Sequence, residues 1–113
     1  MTGKRMIYEL RVYKCLPNRL PALLRRFQDH TLDIWKKHGV RQAGFWTTVI
    51  GESNNELLYL LSWDSMAERE TKWLAFQTDS EWLTARAESE KDGPIVANIS
   101  SQFLTPTAFS SVK

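Results

Sequence analysis

Cysteine is nearly absent from this chain of 113 residues: Cys15 stands alone. That excludes an internal disulfide framework and a multi-cysteine zinc site, and it points to a reducing compartment. Histidine is almost as scarce. His30 and His38 lie eight residues apart, which is about 12 Å along a helix, so one ion cannot bridge them and no metal centre is expected. Long apolar runs are missing: the longest, residues 57–61, falls far below the roughly 20 residues of a membrane span. Met1-Thr2-Gly3-Lys4-Arg5 has no signal-peptide apolar region, so a cytoplasmic protein is the expectation. Phosphate-cradling glycine loops, dinucleotide fingerprints and nucleophile elbows are absent as well. No cofactor is therefore expected.

What is abundant is aromatic: five Trp, three Tyr and five Phe need a core, a pocket or a partner surface to occupy. Charge is uneven beneath a net +2. Residues 1–41 hold ten Lys/Arg against three Asp/Glu, a balance of +7, and residues 42–113 hold five against ten, a balance of −5. The bases are spread along an amphipathic helix rather than clustered, which predicts packing between oppositely charged elements rather than a surface for an anionic partner.

Residues 6–13 alternate, with Ile7, Glu9, Arg11 and Tyr13 on one side and Tyr8, Leu10 and Val12 on the other, and so predict a strand. Leu20, Leu23, Leu24, Phe27, Thr31, Ile34, Trp35 and His38 then recur at helical steps, inside a stripe about 120° wide. A helix over about residues 19–38 follows, with Asn18 as N-cap and Gly39 as its stop. Residues 40–50 and 57–63 read as a hairpin with Gly44 as a bulge. Ser65 and Glu68 form a capping box, Asp79 or Ser80 opens a further short helix, and residues 95–104 form the last strand.

The order is β-α-β-β-α-β: an α+β, ferredoxin-like, four-stranded antiparallel sheet with helices on one face, in a single domain with its core over about residues 6–109. The open face of such a sheet should carry polar residues at alternate positions. Leu57, Leu58, Tyr59, Leu60 and Leu61 do not alternate. The second face is therefore expected to pack against another copy of itself, giving a homodimer joined sheet to sheet.

Several stretches, in order along almost the whole chain, resemble the NIPSNAP family. They are Tyr8-Glu9-Leu10-Arg11-Val12-Tyr13, Gly44-Phe45-Trp46-Thr47-Thr48, Leu57-Leu58-Tyr59-Leu60-Leu61, Trp73-Leu74-Ala75-Phe76, Asp79-Ser80-Glu81-Trp82, Glu88-Ser89-Glu90 and Phe103-Leu104-Thr105-Pro106-Thr107. The pattern departs at Ser80 and Ala108, both turn positions. The resemblance implies a dimeric α+β barrel and a small stand-alone member. It attaches no firm reaction to the chain, and with no Arg- and Ser-rich presequence in view the mitochondrial role of eukaryotic members is not expected to carry over. The wider superfamily includes small oxygenases and isomerases, some of which use Asn, Trp and His without metal or flavin. No Asn here aligns into that set.

Glu9 and Arg11 project from one face of a central strand. They read either as a structural ion pair at the dimer seam or as a site, with Glu9 taking a proton and Arg11 holding a carboxylate. His38 is the third catalytic candidate, against a plain helix-end role. Trp35, Trp46 and Trp63, with Tyr8, Tyr13 and Tyr59, are candidates to line a cavity for a flat hydrophobic or aromatic ligand, against ordinary core packing. Cys15 beside Lys14 reads as incidental. RNA-binding modules share this element order, but the third strand, Leu-Leu-Tyr-Leu-Leu-Ser-Trp, lacks their basic and glycine residues, so no nucleic acid is expected. The combined expectation is a small-ligand-binding dimer of unassigned role. The alternative is a cofactor-independent monooxygenase or isomerase, which an open cavity reached by Glu9, Arg11 or His38 would favour.

Overall fold

In this computed structural model, which describes residues 6–113, alternation along the first strand sorts its side chains onto two faces. β1 (Ile7–Cys15) buries Glu9, Arg11, Tyr13 and Cys15 and leaves Tyr8, Leu10 and Val12 half-buried on the other side. β2 (Arg41–Thr47), β3 (Glu56–Trp63) and β4 (Val96–Leu104) complete an antiparallel sheet in the order β2-β3-β1-β4. The α+β, ferredoxin-like arrangement read from the sequence is the one observed, with β1 central.

The first helical stretch is continuous but not uniform. α1 (Leu20–Arg26) runs through a π-helical turn, Phe27–Thr31, into α2 (Leu32–His38). At the turn the Leu32 N–H donates to the Phe27 carbonyl, and the Thr31 hydroxyl donates to the Arg26 carbonyl at 3.3 Å. The wider turn sets the second half of the helix back around its axis. The buried face consequently centres nearer Arg26 than Leu24. Leu24, expected on the apolar stripe, is 38% exposed, and Arg26 is only 5% exposed. Asn18 does not cap the helix either. The tight turn after Pro17 requires a left-handed residue, and Asn18 supplies it at φ 66°, leaving Arg19 at the N-cap, where its side chain does not cap the helix. Gly39, at φ 72°, ends α2 as expected.

Side chains cap the other two helices. The Ser65 hydroxyl accepts from the Glu68 N–H at the start of α3 (Met66–Gln77), and Asp79 accepts from the Glu81 and Trp82 N–H groups at the start of α4 (Ser80–Ser89). β2 carries its bulge between Gln42 and Phe45 and stops at Thr47, short of the expected residue 50. Gly44 sits in that bulge at φ 125°, and a Cβ there would meet the Trp46 ring at 2.6 Å.

Leu23, Phe27, Ile34 and Trp35 from the first helical stretch pack on Leu57, Tyr59, Leu61 and Trp63 of β3, with Trp73 and Phe76 of α3 alongside. β4 is different. Every residue from Ala97 to Leu104 is exposed, including Ile99 and Phe103, which share the inner face with Tyr13 and Glu9. Oppositely charged halves of the chain do meet: Lys37 with Asp79 at 2.6 Å, Arg41 with Glu68 at 3.1 Å and Arg26 with Glu90 at 3.9 Å. No helix among the described residues is long and apolar enough to cross a membrane.

Candidate functional site

The inner face of β1 carries a buried polar row where a core strand would ordinarily be apolar. Glu9 is fully buried, and five N–H or O–H groups converge on its carboxylate. Oε2 accepts from Arg11 Nη1 at 3.0 Å, Ser101 Oγ at 2.8 Å and Arg69 Nη2 at 3.3 Å. Oε1 accepts from Trp63 Nε1 at 3.1 Å and Arg69 Nε at 3.3 Å. Burial alone would raise the Glu9 carboxyl, but the bonds from Arg69, Ser101 and Arg11 outweigh it and hold the group below the usual carboxylate range.

Arg11 is the hub of the row. Its Nε donates to the Tyr59 hydroxyl at 2.8 Å, its Nη2 to the Tyr13 hydroxyl at 3.4 Å, and its guanidinium carbon lies 4.7 Å from the Trp73 ring centroid. Burial works against this charge; Tyr59, Tyr13 and Glu9 more than compensate, so Arg11 stays ionised throughout the ordinary pH range. Tyr59 in turn donates to the Tyr13 hydroxyl at 3.0 Å, and burial pushes the Tyr59 phenol well above its ordinary value.

Beyond this row, where the helices stop short of β4, a cleft of about 430 Å³ opens. Arg11 and Tyr13 form its floor, Trp73, Phe76 and Trp82 its helical wall, and Ile99 part of its strand wall. The Phe76 and Trp82 ring centroids lie 4.8 Å apart, with Phe76 buried and Trp82 half-buried beside it. Arg26, Arg86 and Glu90 are the other charged residues of the lining. The arrangement offers flat apolar walls with guanidinium groups at the edge, suited to holding a small ligand by stacking and charge.

Of the nine residues singled out from sequence, the structure brings Arg11 and Tyr13 to this cleft. Glu9 lies behind Arg11 as its counter-ion. His38 does not join them: its Nε2 is 2.6 Å from Asp79 Oδ2, so it clips the end of α2 to the start of α4. Asp79 is held below its usual carboxylate range by Lys37 and then His38. Trp35, Tyr59 and Trp63 are sealed into the core, at 2%, 0% and 0% exposure, rather than lining an open space. Trp46 and Tyr8 fall on the far face of the sheet, contrary to expectation. The bulge at Gly44 gives Phe45, not Trp46, the inward position opposite Tyr59, while Trp46 pairs with Leu58; Tyr8 lies opposite Ser62 and Leu104. Cys15 is buried, which pushes its thiol up rather than down.

Sequence reasoning missed Trp73, Phe76, Trp82, Arg26 and Arg86 as lining residues. One signal was available for Arg26: it follows Leu23 by three residues, a charged side chain on an apolar stripe. Among the described residues no group of three or more His, Cys, Asp or Glu side chains converges as a metal site would require.

The NIPSNAP family profile matches residues 8–111. The chain belongs to the NIPSNAP family. Solved NIPSNAP structures share its fold. One from Agrobacterium tumefaciens, described as a family protein with unknown function, is 23% identical with a TM-score of 0.86, over 99% of this chain and 97% of that one. A NIPSNAP-like domain protein from Burkholderia xenovorans is 22% identical with a TM-score of 0.83, over 96% and 90%. A more distant structure, a candidate antibiotic biosynthesis monooxygenase from Chloroflexus aurantiacus, is 12% identical with a TM-score of 0.59 over 96% and 99%, a likeness of fold. No curated protein matches this NIPSNAP chain.

Proposed function

We propose that this NIPSNAP protein binds a small, flat, largely apolar ligand in the cleft between β4 and α3/α4, and that it works as a homodimer. The observation that carries the reading is the cleft itself: about 430 Å³ walled by Trp73, Phe76 and Trp82 and floored by Arg11, in the size range of small-ligand sites. Holding suits this site better than proton transfer. Glu9 is committed to five hydrogen bonds and kept ionised, which makes it the group that positions Arg11 rather than a base poised for a substrate. The single buried thiol, Cys15, is compatible with a reducing cytoplasm.

Support for the homodimer is the outer sheet face. Tyr8, Leu10, Val12, Leu58 and Leu60 form a contiguous apolar surface, extended by Trp46 at 52% and Leu104 at 40% exposure, the kind of patch that marks an interaction surface. A second sheet laid on it would bury both faces and close a barrel.

The binding reading is tested by titrating neutral and anionic naphthalene derivatives while following tryptophan fluorescence and thermal melting. At least one is expected to quench the emission and raise the melting temperature, and Ile99→Trp, which fills the cleft from exposed β4, is expected to abolish both effects. Absence of binding across the series at millimolar concentration overturns it.

A further inference from the structure

Within that cleft the charges are unbalanced, and the imbalance centres on Arg26. The side chain comes from the last residue of α1 and is only 5% exposed. Such depth is costly for a guanidinium unless its donors are paired. The pairing here is incomplete: Nε is buried with no hydrogen-bond partner. Nη1 makes one long bond to Ser89 Oγ at 3.4 Å, and the nearest carboxylate, Glu90, stands 3.9 Å away. Arg26 also lies over the Trp82 ring, its guanidinium carbon 5.3 Å from the centroid.

Arg86, one turn before Glu90 on α4, adds a second cation to the same lining, and its guanidinium forms no hydrogen bond or ion pair among the described residues. Arg11, by contrast, has its charge answered by Glu9 and its donors taken by Tyr59 and Tyr13. The titratable groups facing the cleft are therefore three guanidiniums, the Tyr13 phenol and one carboxylate, Glu90. Burial, with Arg86 adding to it, outweighs the support that Tyr13 and Glu90 give the Arg26 charge, and holds the guanidinium below its ordinary value.

We infer that the cleft is built for an anionic ligand, an aromatic or other flat apolar carboxylate whose charged end lies against Arg26 and Arg86 and whose ring packs against the half-buried Trp82. This rests on the binding reading above and adds the ligand's charge and its anchor. A carboxylate supplies the acceptors that Arg26 lacks, and guanidinium–carboxylate pairing is strong and directional in a desolvated setting. Arg86, being exposed, contributes mainly attraction at longer range and is expected to be sensitive to salt.

The test compares 2-naphthoate with its neutral isostere 2-naphthamide by calorimetric titration at low ionic strength, in the full chain. The wild type is expected to bind the carboxylate at least tenfold more tightly than the amide. Arg26→Met is expected to erase that preference, Arg26→Lys to restore part of it, and Arg86→Ala to reduce it several-fold. In the wild type, the Arg26 Nε–Hε NMR resonance is expected to shift when 2-naphthoate is added and to stay unmoved with 2-naphthamide. That measurement decides the matter even if Arg26→Met fails to fold. Equal binding of the two probes, or an unmoved Nε resonance on carboxylate binding, overturns the inference and leaves the cleft reading intact. If neither probe binds, both readings fall together.

Discussion

Arg69 on α3 reaches across to β1 and grips Glu9 at both carboxylate oxygens, Nε to Oε1 and Nη2 to Oε2, each at 3.3 Å. The same guanidinium carbon lies 5.4 Å from the ring centroids of Trp73 and Phe103. One contact thus ties the third helix to the central strand, and Glu9 balances two buried or half-buried guanidiniums at once. Removing its charge leaves both without their nearest counter-ion, and the polar row that orients Arg11 loses its fixed end.

Glu9→Ala is accordingly expected to destabilise the fold by about 3–5 kcal/mol, the range for breaking a buried ion pair on one side. Glu9→Gln, which keeps the volume and part of the bonding, should cost less. Urea denaturation of both variants measures it, and an Ala variant as stable as wild type would contradict the structural role.

Acid should act through the same group. The Glu9 carboxyl is lower in the folded chain than its ordinary value, so its contribution is complete above the ordinary carboxylate range and is lost as pH falls through the folded value. The urea midpoint is expected to drop below about pH 4.3, the reference value for a glutamate. The gap between wild type and Glu9→Gln should narrow over the same interval. A gap constant from pH 7 to pH 2.5 would show that the carboxylate charge is not what stabilises the row.

On the outer sheet face, Leu60 pairs with Leu10 across the two central strands. Leu60→Lys places a charge in the middle of that apolar surface, and the expected result is a shift in sedimentation equilibrium from twice the 13.1 kDa chain mass to the single chain, with little change in monomer secondary structure. A wild-type protein that sediments as a single chain at micromolar concentration would remove the dimer from the proposal.

Asp79 caps α4 through Oδ1 and holds His38 and Lys37 through Oδ2. Asp79→Ala is expected to cost about 0.5–2 kcal/mol, as for other lost N-caps. Ligand affinity should be unaffected, because neither Asp79 nor His38 lines the cleft. Chemical denaturation checks the first expectation, and the fluorescence titration checks the second. A large loss of binding would restore His38 to the site.

Much of the architecture was legible because local chemistry and global fold agree. The alternation of β1, the Ser65–Glu68 cap, the stop at Gly39 and the bulge at Gly44 are each decided by neighbours within a few residues, and the element order follows from them. The same reading found Glu9 and Arg11 by their shared parity. It misplaced Trp46 because residues 40–50 carry no alternation that fixes which side faces inward, and beyond the bulge it is Phe45 that does; it overlooked Arg26 because a π turn rotates the buried face while the sequence periodicity stays helical.

The sequence by itself determined the strands and helices, their order and the presence of a charged pair on the central strand. Only the tertiary structure decided which aromatics are sealed and which face a cleft. Trp35, Tyr59 and Trp63 are no different in kind from Trp73 and Trp82; they differ in lying where the helices pack on β3, Trp35 from the helical side and Tyr59 and Trp63 from the strand, and not beside β4. Which strand the helical layer leaves uncovered is a matter of packing between elements distant in sequence, and no local pattern encodes it. The cleft, and the incompletely paired guanidinium of Arg26 beside it, exist for that reason.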